Sequence, residues 1–369
     1  MIPINQLQLL RYPISVSSNL QAWDAADEYL LAFVSEQYSE SNHLCVLNDS
    51  FGALTCALST RQITSINDSY ISHCAIQNNL KHNSICLPEN VSLLSCNATW
   101  PKEIDMVLIK IPKLLSLLEF QLHKLRTLPL NTQIIAAGKT QHIHNSTLKL
   151  FEKYLGPTTT SLAKKKSRLI FSEVTQKNLI YALPQTSWPL DKTHFMISNQ
   201  ANVFSRESLD IGGRFLIENL PQGSFESVID LGCGNGVVGL MALLKYPNAH
   251  VSFYDESFMA VDSAKQNVQH NMPEAMVRCN FQVDDCLTKQ ANDSCDLVLC
   301  NPPFHQQQAV TDHIAKQMFK DAKRVLKNDG QCLIVGNRHL GYHKLLKQYF
   351  GNATLVNSNR KFVVLSSTN

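Results

Sequence analysis

Two short stretches carry residue types that could do chemistry. Asn301-Pro-Pro-Phe304 closes an apolar run, Asp296-Leu-Val-Leu-Cys300. An exocyclic amine on an aromatic base is a poor nucleophile because its lone pair is spread into the ring. If the Asn301 side-chain oxygen and the Pro302 carbonyl both accept from its N–H groups, the nitrogen is drawn toward a pyramidal form and aimed at an electrophile. Pro302 and Pro303 stiffen such a loop and remove competing donors. Phe304 offers a face on which a base can stack. The second stretch, Val228-Ile-Asp-Leu-Gly-Cys-Gly-Asn-Gly-Val-Val-Gly239, runs from a buried strand into a glycine loop and a helix. It places Asp230, Gly232, Gly234 and Gly236 in the pattern D-x-G-x-G-x-G, where absent side chains let backbone come close to a nucleoside cofactor.

Together the loops point to transfer of a methyl group from S-adenosylmethionine to a nitrogen. That cofactor already carries an activated methyl and a positive charge, so neither a catalytic carboxylate nor a metal is required. The embedded G-x-G-x-x-G of residues 234–239 also suits a dinucleotide, which makes a dehydrogenase the competing reading. A hydride-transfer enzyme, however, has no use for the Asn301 loop. Asp255 ends the next apolar run and is placed to accept from both ribose hydroxyls; the alternative is a helix-capping Asp before Ser257. Asp285 is a candidate acceptor for the adenine amino group, with Asp284 beside it and a simple turn role equally open. His305 and Arg338 adjoin the motif loops and could touch a base or phosphate, or be ordinary loop polars.

The elements that must position these residues alternate: strands at 227–231, 251–254, 280–283 and 296–300, helices from Ser257 and after Thr311, and a closing hairpin at 353–356 and 361–365. The helix after Thr311 carries Ile314, Met318, Phe319, Ala322 and Val325 on one side, and Asn328-Asp-Gly330 is its expected stop. This is a mostly parallel α/β sheet whose last strand is antiparallel. The first half repeats the order. Asn67, Ser69, Asn79, His82 and Asn83 each precede Asp255, Ser257, Asn267, His270 and Asn271 by one constant offset (255 − 67 = 188). Asp105-Met-Val-Leu-Ile-Lys-Ile-Pro112 lies over Asp296-Leu-Val-Leu-Cys-Asn-Pro-Pro303, and Gln133 to Gly138 over Gln331 to Gly336. The expected fold is therefore a tandem duplication of one Rossmann-like α/β unit. Only Gly52 remains of the glycine loop in the first copy, and Lys110-Ile-Pro-Lys113 stands where Asn301-Pro-Pro-Phe304 would be, so this copy is degenerate. The expected boundaries are 1–155 for that substrate-binding or supporting copy, 156–198 for a basic linker with bridging strands, and 199–369 for the catalytic copy. Lys164, Lys165, Lys166 and Arg168 in the linker are candidate phosphate contacts, against the reading of a merely solvated loop.

With 33 Lys+Arg against 30 Asp+Glu, the formal charge is only +3. A nucleic-acid surface would have to be a local patch. Eleven cysteines in no C-x-x-C pair suggest free core thiols in a reducing compartment, without disulfides or zinc. No signal segment and no long uninterrupted apolar run is present, and the expectation is a cytoplasmic protein away from membranes.

Residues 200–369 resemble the class I S-adenosylmethionine-dependent methyltransferases, which implies that the glycine loop passes the methionine and ribose portions. Asn-Pro-Pro-Phe or Asn-Pro-Pro-Tyr also occurs in DNA adenine-N6 and protein glutamine-N5 methyltransferases, so the loop names the acceptor chemistry rather than the substrate. Phe204-Ser-Arg-Glu-Ser-Leu-Asp-Ile-Gly-Gly-Arg214, Val335-Gly-Asn-Arg-His339 and the degenerate first copy narrow this. Together they resemble the bacterial ribosomal RNA guanine-N2 methyltransferases, and over nearly the whole chain the large-subunit (23S) members more than the small-subunit (16S) ones. The resemblance implies methylation of the 2-amino group of one guanine, flipped or already unpaired. The non-catalytic alternative is an RNA-binding assembly factor.

Overall fold

A computed structural model describes the chain except for residues 14–19, 39–41, 86–89, 176–182, 184–185 and 304–307; for 308–312 it describes the backbone alone. Phe304 and His305 thus lie outside the described residues. The chain divides into two compact units, Met1–Pro184 and Gln185–Asn369.

In the first unit, the strands are β1 (His43–Leu47), β2 (Gln62–Asn67), β3 (Val91–Ser95), β4 (Met106–Lys110), β5 (Gln133–Lys139), β6 (Thr159–Thr160) and β7 (Ser167–Glu173). They form one sheet in the order β3-β2-β1-β4-β5-β7-β6, parallel up to β5 and antiparallel beyond. The helices are α1 (Ala25–Gln37), α2 (Ala53–Ala57), α3 (Tyr70–His82), α4 (Leu115–Leu125) and α5 (Asn145–Tyr154).

The second unit opens with a hairpin of β8 (Thr186–Pro189) and β9 (Met196–Asn199). Its sheet is built from β10 (Ser227–Leu231), β11 (His250–Asp255), β12 (Cys279–Val283), β13 (Cys295–Cys300), β14 (Leu326–Asn337), β15 (Thr354–Ser358) and β16 (Phe362–Thr368). The order is β12-β11-β10-β13-β14-β16-β15, strand for strand that of the first unit. Its helices are α6 (Ile211–Ile217), α7 (Val237–Lys245), α8 (Phe258–Asn271), α9 (Gln308–Val325) and α10 (Tyr342–Phe350). Parallel strands buried on both faces read as continuous apolar runs, as β10 and β13 do, and two clusters fill the faces.

The duplication holds at the level of single hydrogen bonds. Asn79 Nδ2 donates to the carbonyls of Leu10 and Phe51 while its Oδ1 accepts from Leu10 N–H. Asn267 does the same with the carbonyls of Ser198 and Asn235 and the N–H of Ser198. Asp105 accepts from the N–H groups of Asn42 and His43, as Asp296 does from those of Glu226 and Ser227. Ser69 and Ser257 cap α3 and α8, and Gly52 and Gly236 open α2 and α7 at φ 83° and 80°. The repeated sequence positions are therefore the ones that cap helices, fasten a helix to the loop after the first strand and join neighbouring strand ends.

Two expected boundaries move. Residues 156–198 do not run as a linker: β6 and β7 complete the first sheet, and β8 with β9 starts the second unit. The basic cluster is the tight turn of a hairpin, Lys164 bridging Ser167 with Lys165 and Lys166 at φ 47° and 60°. Turn formers and lysines read as solvated linker until β5 is seen to pair with β7. Further on, α9 stops at Val325, before Asn328-Asp-Gly330, because Leu326 already pairs with Cys295 across a bulge. Among the described residues no helix is long and apolar enough to cross a membrane, and no group of three or more His, Cys, Asp or Glu could hold a metal ion.

Candidate active site

In the second sheet the connection order reverses between β10 and β13, which opens a crevice at their carboxyl ends. The glycine loop leaves β10 and the Asn301 loop leaves β13, so both motifs enter the same crevice. A Cβ built on Gly232 would lie 3.9 Å from the Asn301 carbonyl and 3.2 Å from Met318 of α9.

The loop from Gly232 to Gly236 is held by its own backbone. Gly232 and Cys233 both donate to the Tyr254 carbonyl, at 2.8 and 2.9 Å, and Gly236 donates to Cys233 at 2.7 Å. Gly232, Gly234 and Gly236 have φ of 75°, 53° and 80°, the left-handed region that favours glycine. Their surroundings differ. A Cβ on Gly236 would meet Ala264 of α8 at 2.7 Å, and one on Gly239 the Phe253 ring of β11 at 2.2 Å, so the first serves packing against a helix and the second packing against the sheet. A Cβ on Gly234 would meet nothing within 4 Å. Gly234 therefore faces open space, the opening a bound nucleoside needs.

Asp230 is buried and accepts from Gly239 N–H at 2.8 Å, pinning α7 to the strand. Burial, reinforced by the nearby Asp255 carboxylate, raises its pKa to about 7 against the pull of that hydrogen bond. Asp255 accepts from Gly234 N–H at 2.9 Å with one oxygen and from Ser257 N–H at 3.0 Å with the other. It thus braces the glycine loop, and burial likewise raises its pKa. Each carboxylate oxygen retains acceptor capacity for a hydroxyl. Of the two adjacent aspartates, Asp284 is consumed by its own turn, accepting from Asp285 N–H, Thr288 Oγ1 and Lys289 N–H. Asp285 instead reaches α9, where its Oδ1 accepts from Gln317 Nε2 at 2.8 Å.

Asn301 Nδ2 donates to Asp210 Oδ2 at 3.2 Å. The same carboxylate oxygen caps α6 through Gly213 N–H at 2.8 Å. With its amide end fixed, Asn301 presents Oδ1, a buried atom with no hydrogen-bond partner among the described residues. Leaving such an acceptor unmade costs about 1–3 kcal/mol, which a native fold tolerates where a ligand donates. Pro302 is buried behind it. Asn199 Nδ2 and Asn337 Oδ1 in the same unit are also buried without a partner among the described residues. Asn199 Oδ1 receives Asn235 Nδ2 from the glycine loop at 3.0 Å. An open glycine turn, acceptor carboxylates and unmet buried amides together fit a nucleoside carrying an amino-acid chain.

Sequence reasoning missed Asp210, Gln317, Asn199 and Asn337. The one local signal was Asp210 before Ile-Gly-Gly, a helix-capping pattern that says nothing of Asn301. The buried thiols take no part: burial raises Cys332 to about 12 and Cys233 and Cys300 well above the usual range, so they stay protonated and inert.

The remaining candidates are elsewhere. Arg338 Nη1 donates to the Asn359 carbonyl at 2.9 Å, tying the end of β14 to the β15–β16 hairpin. In the first unit, Lys165 pairs with Glu28 at 2.7 Å and Lys164 lies over the Tyr29 ring. Arg168 is half-buried on β7, its Nε without a partner among the described residues.

The first unit shows what degeneration did to the same crevice. Lys110, in the place of Asn301, sends its amine onto Asp24 at 2.7 Å and Asp27 at 2.8 Å. Asp24 caps α1 as Asp210 caps α6. Asn48 and Ser50 replace the first two glycines, and Asp49 turns inward to bind Gly52 N–H, Thr55 N–H and Thr55 Oγ1. The crevice of the second unit is here closed by an ion pair and an inward carboxylate.

Residues 1–176 match the family described as RLMG N-terminal domain, and residues 194–366 the Methyltransferase small domain. The chain is 54% identical over 98% of its length to the ribosomal RNA large subunit methyltransferase G of Pseudoalteromonas translucida, covering 95% of that protein. It is 49% identical, over 97% of its length and 96% of the relative, to the protein of the same name from Psychromonas ingrahamii. The fold is shared, at TM-score 0.76 and 18% identity with 98% of each chain covered, with the T. thermophilus 16S rRNA N2 methyltransferase solved with AdoMet and guanosine. A full-length match at half identity, both domains in order, places the chain in the ribosomal RNA large subunit methyltransferase G family.

Proposed function

We propose that the second unit transfers a methyl group from S-adenosylmethionine to the exocyclic N2 of a guanine in large-subunit (23S) ribosomal RNA. The buried, unpartnered Oδ1 of Asn301 carries this reading. S-adenosylmethionine, when bound, supplies an electrophilic methyl on a positively charged sulfur.

The chain's own residues bind and orient. Gly232, Gly234 and Gly236 shape the turn that receives the cofactor, with the open space at Gly234, Asp255 accepts from its ribose hydroxyls and Asp285 from its adenine amine, while Asp230 keeps loop and helix in place. Asn301 Oδ1 accepts from one N–H of the guanine amine and the Pro302 carbonyl from the other, which localises the nitrogen lone pair for attack. Asp210 fixes which end of the Asn301 amide faces the base. Pro303 stiffens the loop, and Phe304 and His305 follow as base contacts. Lys164, Lys166 and Arg168 of the first unit and Arg338 of the second meet phosphates, Lys165 after release from Glu28. The guanine must be unstacked to enter. A substrate of this kind puts the enzyme in the cytoplasm.

Incubating the protein with labelled S-adenosylmethionine and 23S RNA, 16S RNA, DNA or protein tests this. Label should enter guanine N2 of 23S RNA and be lost in Asn301→Ala with cofactor affinity retained. Label in another fraction, or full activity in that variant, overturns it.

A further inference from the structure

Asn337 ends β14 at 6% exposure, with its Oδ1 buried and without a hydrogen-bond partner among the described residues. Cys300 of β13 pairs with Ile334 of β14, so Asn301 and Asn337 leave adjacent parallel strands at the same end of the sheet. They also leave on the same face. Leu297 and Leu299 of β13 and Leu333 and Val335 of β14 enter one core cluster, whereas Val298, Cys300, Cys332 and Ile334 enter the other. Continuing that alternation puts Asn301 and Asn337 with the first set. On this face lies α6, whose capping Asp210 holds Asn301. The backbone after Asn337 is fastened by Arg338 N–H to the Lys361 carbonyl at 3.0 Å.

Resting on the guanine reading above, we infer that Asn337 is a specificity-determining residue whose Oδ1 accepts from N1–H of the acceptor base while Asn301 Oδ1 accepts from its amine. Guanine alone among the four bases places a ring N–H beside the exocyclic amine. Adenine and cytosine place a ring nitrogen lone pair there, which two buried acceptor oxygens repel. The pair of asparagines therefore selects a donor–donor edge, and a site built to hydrogen-bond a group strongly rejects the analogue lacking it.

The test compares kcat/KM for two RNAs identical except that the target guanine is replaced by 2-aminopurine, which keeps the C2 amine and carries a lone pair at N1. Wild type should prefer guanine, and Asn337→Ala should shrink that preference by roughly tenfold or more through loss on guanine alone. S-adenosylmethionine affinity should be unchanged. Asn337→Leu, near-isosteric and without an acceptor, carries the same comparison if the alanine variant does not fold. Equal losses on both RNAs mean a merely structural role and overturn the inference. A wild-type protein that methylates no guanine overturns the underlying reading, a result distinct from an unchanged preference.

Discussion

The Asn301 amide is held by Asp210, a residue 91 positions earlier, at 3.2 Å. The corresponding pair in the other unit is Lys110 and Asp24, at 2.7 Å. One crevice thus exists in two states. In one, a helix-capping carboxylate orients an amide whose oxygen waits for a donor; in the other, a similar carboxylate is satisfied by a lysine. A change from amide to amine at one strand end converts a binding position into an ion pair.

Asp210→Ser keeps a cap for Gly213 but releases Asn301. Stability should change by under about 1 kcal/mol, while kcat falls roughly 10- to 100-fold with little change in cofactor affinity. Single-turnover methylation and cofactor titration on the same preparation separate the two. Equal losses in both would show that Asp210 supports the whole crevice.

The glycines should divide by what their missing side chains admit. Gly234→Ala places a methyl in open space at φ 53°, costing about 1 kcal/mol of stability while weakening S-adenosylmethionine binding. Gly239→Ala drives a methyl against the Phe253 ring and should cost about 1–3 kcal/mol by overpacking. Thermal melts with and without cofactor distinguish blocked binding from damaged packing.

Asp230 makes stability fall as pH rises. Its pKa is raised from 3.8 to about 7 by burial, so the folded state holds a proton that the unfolded chain has released. Its contribution is fully present below pH 3.8 and is lost as pH rises through 7, by about 3 kcal/mol between pH 5 and 8. Asp230→Asn should remove that part of the slope in denaturant unfolding followed across this range. An unchanged slope would mean that other groups set it.

Lys110→Met strands Asp27, which is buried, and Asp49 behind it. Burial already raises Asp27 to about 6 against the pull of Lys110. Removing one partner of a buried pair costs about 3–5 kcal/mol, and the loss should be largest above pH 7, where Asp27 would have to ionise alone. Methylation by the surviving fold should be retained if the first unit serves as support.

The succession of strands and helices, the duplication and both reactive loops were legible in the chain, because each rests on local patterns: apolar runs, glycines at fixed spacing, and capping residues repeated at one offset. Strands within residues 156–198 were legible but their pairing was not, since the partner of β7, β5, is distant in sequence and the turn between β6 and β7 is written in lysines. Sequence made Asp285 the candidate, with Asp284 beside it. Tertiary structure parted them, because Asp284 is enclosed by three donors of its own turn while Asp285 reaches Gln317 on α9. The places of Asp210 against Asn301 and of the unmet Asn337 oxygen came only from the folded chain. A side chain's direction and the partner left to it depend on strand register and on which helix covers the face, and no stretch of local sequence records either.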